Sequence, residues 1–364
     1  MLGAPWLTGV AATQRASDPT AWVLDRLLVW DSGFFVGIAE RGYNPTGSTC
    51  CDQAFFPGYP LTIRALAPLF GDARIAALAI PWVAGAVAAM LLWRITVDEF
   101  GTAAGRHAVA LLALTPYGVF LSLAYSESLF LALALAAWYA ALHQRWWWAG
   151  AAASAAAVVR INGVFVAVAL AVLWLASRSR DPATGSSAGS TASSSVRSPA
   201  RITVLALPLP FALVGAYFWY LQSRSWPTWT QAQSSAWERR VGWPWEGFAW
   251  SWRWLTAQPA LDLRVAGAIE PVVVLAGVAL VALLARRRRW AELAYVGLSV
   301  AVLLFSNRFL SSPRLSVLWF PAFVLGGAWL ARSRRRAYAW CVYAVSIVGL
   351  AFTSVVFTAH LWVS

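Results

Sequence analysis

Asp31 lies in an aromatic stretch, Val29-Trp30-Asp31-Ser32-Gly33-Phe34-Phe35, that runs on through Ile38-Ala39-Glu40-Arg41-Gly42-Tyr43 to the first long apolar run. A carboxylate partly stripped of water can take a proton from a hydroxyl as a general base. Aspartate is equally a favoured helix N-cap, and Asp31 precedes a helix expected over Gly33–Glu40. The residues alone leave both roles open. Asp52 offers the same chemistry beside Gln53, ahead of Phe55-Phe56-Pro57-Gly58-Tyr59-Pro60. Glu127, in the tight Tyr125-Ser126-Glu127 turn, suits capping a helix or neutralising an arginine.

Arginine supplies the complementary charge. A guanidinium fork matches the oxygens of a phosphate, and lipid phosphates lie at the depth where the apolar runs end. Arg160, Arg239, Arg240, Arg308 and Arg314 are the candidates, with snorkelling or pairing to a glutamate as the plainer role. Arg239 and Arg240 follow Glu238 directly and read as its ion-pair partners. Arg160 and Arg314 each stand beside a break in an apolar run, where a functional role weighs as much as a structural one. His107, His143 and His360 are scattered, and no phosphate-binding glycine loop, nucleophile elbow or HExxH zinc motif is present. No metal or histidine-based mechanism is expected. Cys50 and Cys51 are adjacent, a spacing that rarely bridges, and Cys341 reads as a small apolar filler.

The elements that must position these groups are membrane helices. Of 364 residues, 60% are hydrophobic and 12% charged, against about 25% charged in soluble proteins; mean hydropathy is +0.61. The net charge of +13 does not point to nucleic acid, because every basic residue is arginine and these cluster beside apolar runs. Runs of the ~20 residues that a bilayer requires recur along the chain. Residues 1–29 hold no complete span. The segment from Tyr59 to Phe70 reads as a helix in the interface. Spans are expected over 74–93, 107–124 and 128–142, with a polar turn from Arg94 to Arg106. The apolar run 147–176 contains Arg160-Ile161-Asn162-Gly163 at its centre. One continuous helix would bury that arginine, at a cost of at least ~2.5–3.5 kcal/mol; two short spans meeting at 160–163 avoid it. Residues 177–201, with a Ser- and Gly-rich tract from Asp181, form a linker. Further spans are expected over 202–221, 265–285, 291–305, 316–330 and 338–362. The division is thus an N-terminal segment 1–29, a catalytic loop and helices 30–176, the linker, and helices 202–364. The loop from Gln222 to Arg264 carries eight tryptophans, with Trp219 just before it, and such rings favour the headgroup layer.

Alternation places Arg286–Arg289, Arg332–Arg336, Arg94–Arg106 and the linker on one side, which the positive-inside bias makes cytoplasmic. Asp31, Glu127, Arg160, Asn162, the tryptophan-rich loop and Asn307–Arg314 fall on the other.

Those residues resemble the PIG-V family, relatives of GPI mannosyltransferase 2 that also occur in bacteria. Trp30-Asp31, Phe35, Ile38-Ala39, Gly42-Tyr43, Phe55-Phe56-Pro57 and Tyr59-Pro60 look like its first block. Tyr125-Ser126-Glu127-Ser128-Leu129-Phe130, Arg160-Ile161-Asn162-Gly163, and Ser312-Pro313-Arg314 with Phe320-Pro321 look like three more, in family order. The resemblance implies an all-α polytopic GT-C glycosyltransferase fold of about ten transmembrane helices. It implies Asp31 as catalytic base, a polyprenyl-phosphate mannose donor, a lipid or glycan acceptor, and no nucleotide sugar or other cofactor. Trp30, Asp52, Tyr59, Glu127, Arg160, Asn162, Arg308 and Arg314 become the candidate substrate-binding residues, with the arginines facing the donor phosphate. The expected setting is the bacterial cytoplasmic membrane, active site outward, among membrane lipids. The family has a span before the Trp-Asp loop that residues 1–29 do not supply. A transporter or flippase would place polar groups at mid-bilayer, often in two related halves; clustering at one face favours the enzyme. A non-catalytic family member is the remaining alternative, and the intact Asp31 argues against it.

Overall fold

In a bilayer each backbone polar group must be satisfied within the protein, which favours helices. The computed structural model describes residues 24, 26–43, 51–178, 206–333 and 336–363. Among these the chain is helical, with one isolated bridge between Val241 and Ser306 and no strand. The helices are α1 (Asp31–Arg41), α2 (Gly58–Phe70), α3 (Ala73–Phe100), α4 (Thr102–Leu114), α5 (Glu127–Leu142), α6 (Trp146–Val159), α7 (Asn162–Arg178) and α8 (Leu209–Ser223). They continue as α9 (Trp229–Trp237), α10 (Pro244–Ala257), α11 (Leu261–Arg286), α12 (Trp290–Leu304), α13 (Ser312–Ser316), α14 (Phe320–Arg332) and α15 (Arg336–Thr358). The N-terminal segment before Leu24 and the linker 179–205 lie outside the described residues.

Among the described residues three helices are long and apolar enough to cross a membrane: Ala73–Phe100, Leu261–Arg286 and Ala337–Thr358. Five shorter apolar helices, α4 to α7 and α12, run 10–17 residues, below the ~20 that a full crossing takes. Eight apolar helices among the described residues thus stand where the hydropathy pattern places spans, fewer than the ten expected, and three of them have the length of a full crossing. Two boundaries differ from the sequence pattern. The polar turn expected over 94–106 shrinks to Gly101, at φ +85°, because the charged residues at the end of α3 extend the helix into polar surroundings. Glu99 on that end pairs with Arg289. The expected span 107–124 stops at Leu114, since Pro116 drives Thr115 to extended backbone (ψ 141°) and a 3-10 turn, Gly118–Leu121, follows.

Packing is built on small residues. Helix α5 lies between α3 and α6, and α6 packs in turn on α7 and α8. Their contact faces are alanine: Ala134, Ala137 and Ala141 on α5 and Ala149, Ala153 and Ala156 on α6 are fully buried. In lipid, where apolar side chains gain little by leaving the solvent, such close backbone approach drives association. The basic ends converge as the alternation requires: Arg289 and Arg332 both rest over the Phe100 ring at the end of α3. The tryptophan-rich loop forms α9 and α10 and leaves Trp243, Trp245 and Trp252 exposed, the arrangement of rings facing an interface.

Candidate active site

The apolar run 147–176 breaks where the buried-arginine cost requires. Helix α6 ends at Val159, Arg160 is extended (φ −152°, ψ 144°), and α7 begins at Asn162. Gly163 makes the tight return possible, because a Cβ there would sit 2.1 Å from the Ala157 backbone nitrogen. The break releases Arg160 to donate to Glu127 Oε1 at 2.9 Å and to Ser126 Oγ at 2.8 Å.

Glu127 is fully buried at the start of α5, and the same Oε1 receives Arg314 Nε at 2.6 Å. Arg314 is carried by α13, which is inserted ahead of α14 and led by Ser312-Pro313. Its Nη1 reaches on to Asp31 Oδ2 at 2.7 Å. Asp31, Arg314, Glu127 and Arg160 therefore form one chain of alternating charges, whose first two members lie 283 residues apart in sequence. Tyr125 and Phe120 wall it: the Arg314 guanidinium lies 4.8 Å and 5.4 Å from their ring centroids. Burial draws the Arg160 guanidinium below its ordinary range, with Glu127 opposing that shift and Arg314 adding to it.

The capping role for Asp31 does not hold. Trp30 is the N-cap of α1, no side chain caps that helix end, and Asp31 is the first helical residue. Its carboxylate turns to Arg314 instead. Trp30 takes φ 59° and ψ −122°, a costly conformation for a bulky residue. Two bonds to the Val29 carbonyl hold this corner, from Ser32 Oγ at 2.6 Å and Tyr125 Oη at 3.1 Å. The Trp30 ring, one-third exposed at 36%, meets the Trp362 ring edge-on at 5.3 Å. Trp362 sits in the tail after α15, and its backbone N–H donates to Asp262 Oδ2 at 2.9 Å. Asp31 Oδ1 accepts no hydrogen bond from any described residue, and the side chain keeps 20% of its surface open.

The other expected site residues divide. Asp52 is buried in a 3-10 turn, Asp52–Ala54, on the side of Tyr43 and Tyr217. Tyr59 is wholly buried, its hydroxyl donated to the Ala77 carbonyl at 2.6 Å and its ring against Phe35; it serves packing rather than an open site. Asn162 is half-buried at the head of α7. Arg308 pairs with Glu238 and stacks 3.7 Å over the Trp250 ring. The expected pairing of Arg239 and Arg240 with Glu238 is therefore overturned: Glu238 turns to Arg308, and Arg240 pairs with Glu246 at 2.7 Å. Glu238 adopts left-handed backbone as the C-cap of α9, which redirects its side chain. Cys51 is disulfide-bonded, Cys341 is free and exposed, and Cys50 lies outside the described residues. Cys341, expected to fill a packed position, faces outward from α15. Nothing in the sequence singles out Phe120 or Trp362, and Tyr125 stands out only as part of the Tyr125–Phe130 block.

A family model described as Mannosyltransferase (PIG-V) matches residues 11–180. Over that stretch, a little under half of its length, the chain is similar to the PIG-V mannosyltransferase family, which supports the family assignment. The match takes in Asp31, Glu127 and Arg160, and it supports a mannosyltransferase activity in a membrane setting. Arg314, the cation joining the first two, comes from beyond it. Comparison with curated proteins and with solved structures finds no match.

Proposed function

We propose that this protein transfers mannose from a polyprenyl-phosphate mannose to a lipid-linked or glycan acceptor, on the outer face of the cytoplasmic membrane. The observation that carries the reading is the Asp31 carboxylate, fixed by Arg314 through Oδ2 while Oδ1 stays open. In the proposed step the acceptor hydroxyl gives its proton to Asp31 Oδ1, and its oxygen bonds to the anomeric carbon of mannose. The bond from that carbon to the phosphate oxygen breaks, and the electron pair leaves on the lipid phosphate. Positive charge set in place beforehand stabilises that leaving group most when it needs no rearrangement. Glu127, by gripping Arg160 and Arg314 together, supplies the preorganisation. An apolar cavity of about 270 Å³, lined by Phe56, Pro57, Val158, Val214 and Tyr217, opens two residues from Arg160 and suits an isoprenoid tail. The convergence of Arg289 and Arg332 at the opposite end supports the outward orientation.

The test is transfer by the purified protein in detergent or nanodiscs, with labelled polyprenyl-phosphate mannose and a membrane-lipid extract as acceptor. Label should move into the acceptor pool, and free polyprenyl phosphate should appear in equal amount. Transfer from a nucleotide-linked mannose, with none from the lipid-linked donor, refutes the donor assignment.

A further inference from the structure

Most arginines on the Asp31 side of the protein are matched to an acceptor, and the exposed Arg224 and Arg253 rest on aromatic rings. Arg314 holds Asp31 and Glu127, Arg160 holds Glu127, Arg308 holds Glu238, and Arg240 holds Glu246. Arg64 donates to the carbonyls of Ala39 and Ile38. Arg239 differs. Its Nε donates to Ser306 Oγ at 3.3 Å, and its two terminal nitrogens have no hydrogen-bond partner among the described residues. No described carboxylate oxygen lies within ion-pair distance of it.

Arg239 is nevertheless half-buried and firmly held. Its neighbours are stitched to the strand-like segment before α13. Arg240 N–H donates to Asn307 Oδ1 at 2.8 Å, Asn307 N–H to the Arg240 carbonyl at 3.1 Å, and Asn307 Nδ2 to the Glu238 carbonyl at 3.0 Å. The Gly242 amide closes the pairing on the Phe305 carbonyl at 2.9 Å. Two residues earlier, Trp237 packs on Phe34 and Phe55, with ring centroids 6.2 Å and 5.7 Å away. Phe34 is one helical turn beyond Asp31, so this loop is fastened beside the catalytic corner. Burial pulls the Arg239 guanidinium below its ordinary range. The Glu270 charge opposes that, and the like charges of Arg160 and Arg314 add to it. Glu270 is itself engaged, accepting the Ser311 amide at 3.2 Å.

A half-buried guanidinium with an empty fork, held near two other cations, costs free energy that a bound anion would offset. We propose that Arg239 is the direct anchor for the phosphate of the lipid-linked sugar donor, while Arg160 and Arg314 are positioning residues that fix Glu127 and Asp31. This rests on the lipid-phosphate donor proposed above. It departs from reliance on the arginines of the family blocks, because Arg160 and Arg314 each already hold an ion pair with a carboxylate of this protein, whereas Arg239 holds none among the described residues.

The test measures binding to the full chain in nanodiscs without any sugar transfer. Wild type, Arg239→Gln and Arg239→Lys are titrated with decaprenyl phosphate, with decaprenol and with inorganic phosphate. Wild type should bind decaprenyl phosphate in clear preference to decaprenol. Arg239→Gln should weaken that binding about tenfold or more, as losing a hydrogen bond to a charged partner does, and leave decaprenol binding unchanged. Arg239→Lys, which keeps the charge without the fork, should fall between, and gives the same reading should the Gln variant fail to fold. Equal binding of decaprenyl phosphate by wild type and both variants overturns the anchor. Inorganic phosphate that binds as tightly as the lipid phosphate overturns the lipid source. If wild type transfers mannose and Arg239→Gln still binds decaprenyl phosphate normally, the anchor alone fails. If wild type transfers none while the Arg239 dependence holds, the transferase reading alone fails.

Discussion

The two carboxylates of the charge chain should answer the same substitution in opposite ways. Asp31→Asn keeps the shape and one oxygen to accept from Arg314 Nη1, so the 2.7 Å hydrogen bond survives without its charge. The gross attraction of charges ~4 Å apart is about 4 kcal/mol at an effective dielectric of 20. Arg314 keeps Glu127 at 2.6 Å and Asp31 is one-fifth accessible, so the net loss of stability should be about 1–2 kcal/mol, far below the value for a fully buried pair. Loss of a general base lowers the rate about 10²–10⁴-fold, which corresponds to roughly 2.7–5.4 kcal/mol on the barrier. Activity should therefore collapse while the protein stays folded. Glu127→Gln is the converse: the carboxylate has no exposed surface, and its removal leaves two buried guanidinium groups facing one aspartate. Breaking a buried ion network in this way costs about 3–5 kcal/mol. Initial rates of mannose transfer and thermal melting followed by tryptophan fluorescence separate the two effects. Asp31→Asn with more than about a tenth of wild-type rate would refute the base assignment, since the least expected loss is about 10²-fold. Glu127→Gln melting as wild type would refute the energetic account of the network.

Two further outcomes follow from the geometry. Gly163→Ala should destabilise the α6–α7 return by about 1–3 kcal/mol, the range for forcing extra bulk into a packed site, because its Cβ would meet backbone at 2.1 Å rather than a movable side chain; unchanged melting would show that the two helices can part. Single cysteines introduced at Arg287 and at Ser311, with Cys341 replaced by serine, should label oppositely with an impermeant thiol reagent in intact cells. Residue 311 should react and 287 should be protected, and reaction at 287 would invert the orientation.

The sequence by itself determined the helical class, the positions of the apolar helices, the break at Arg160 and the segregation of basic clusters. Each of these depends on local composition or on the cost of placing a charge in hydrocarbon, terms that a residue carries wherever the chain folds. It also nominated Asp31, Glu127, Arg160 and Arg314 through chemistry and family blocks. What it left open was how those groups pair. Aspartate before a helix is as good a cap as a base, and only the approach of α13 to α1, across 283 residues, turned Asp31 toward Arg314. Glu238 stands next to Arg239 in the chain yet pairs with Arg308, because its left-handed backbone points the side chain elsewhere. Ion pairing is decided by direction and distance in space, and sequence adjacency fixes neither. The unmatched fork of Arg239 and the contact of Trp362 with Trp30 are consequences of that long-range geometry, visible only once the helices have packed.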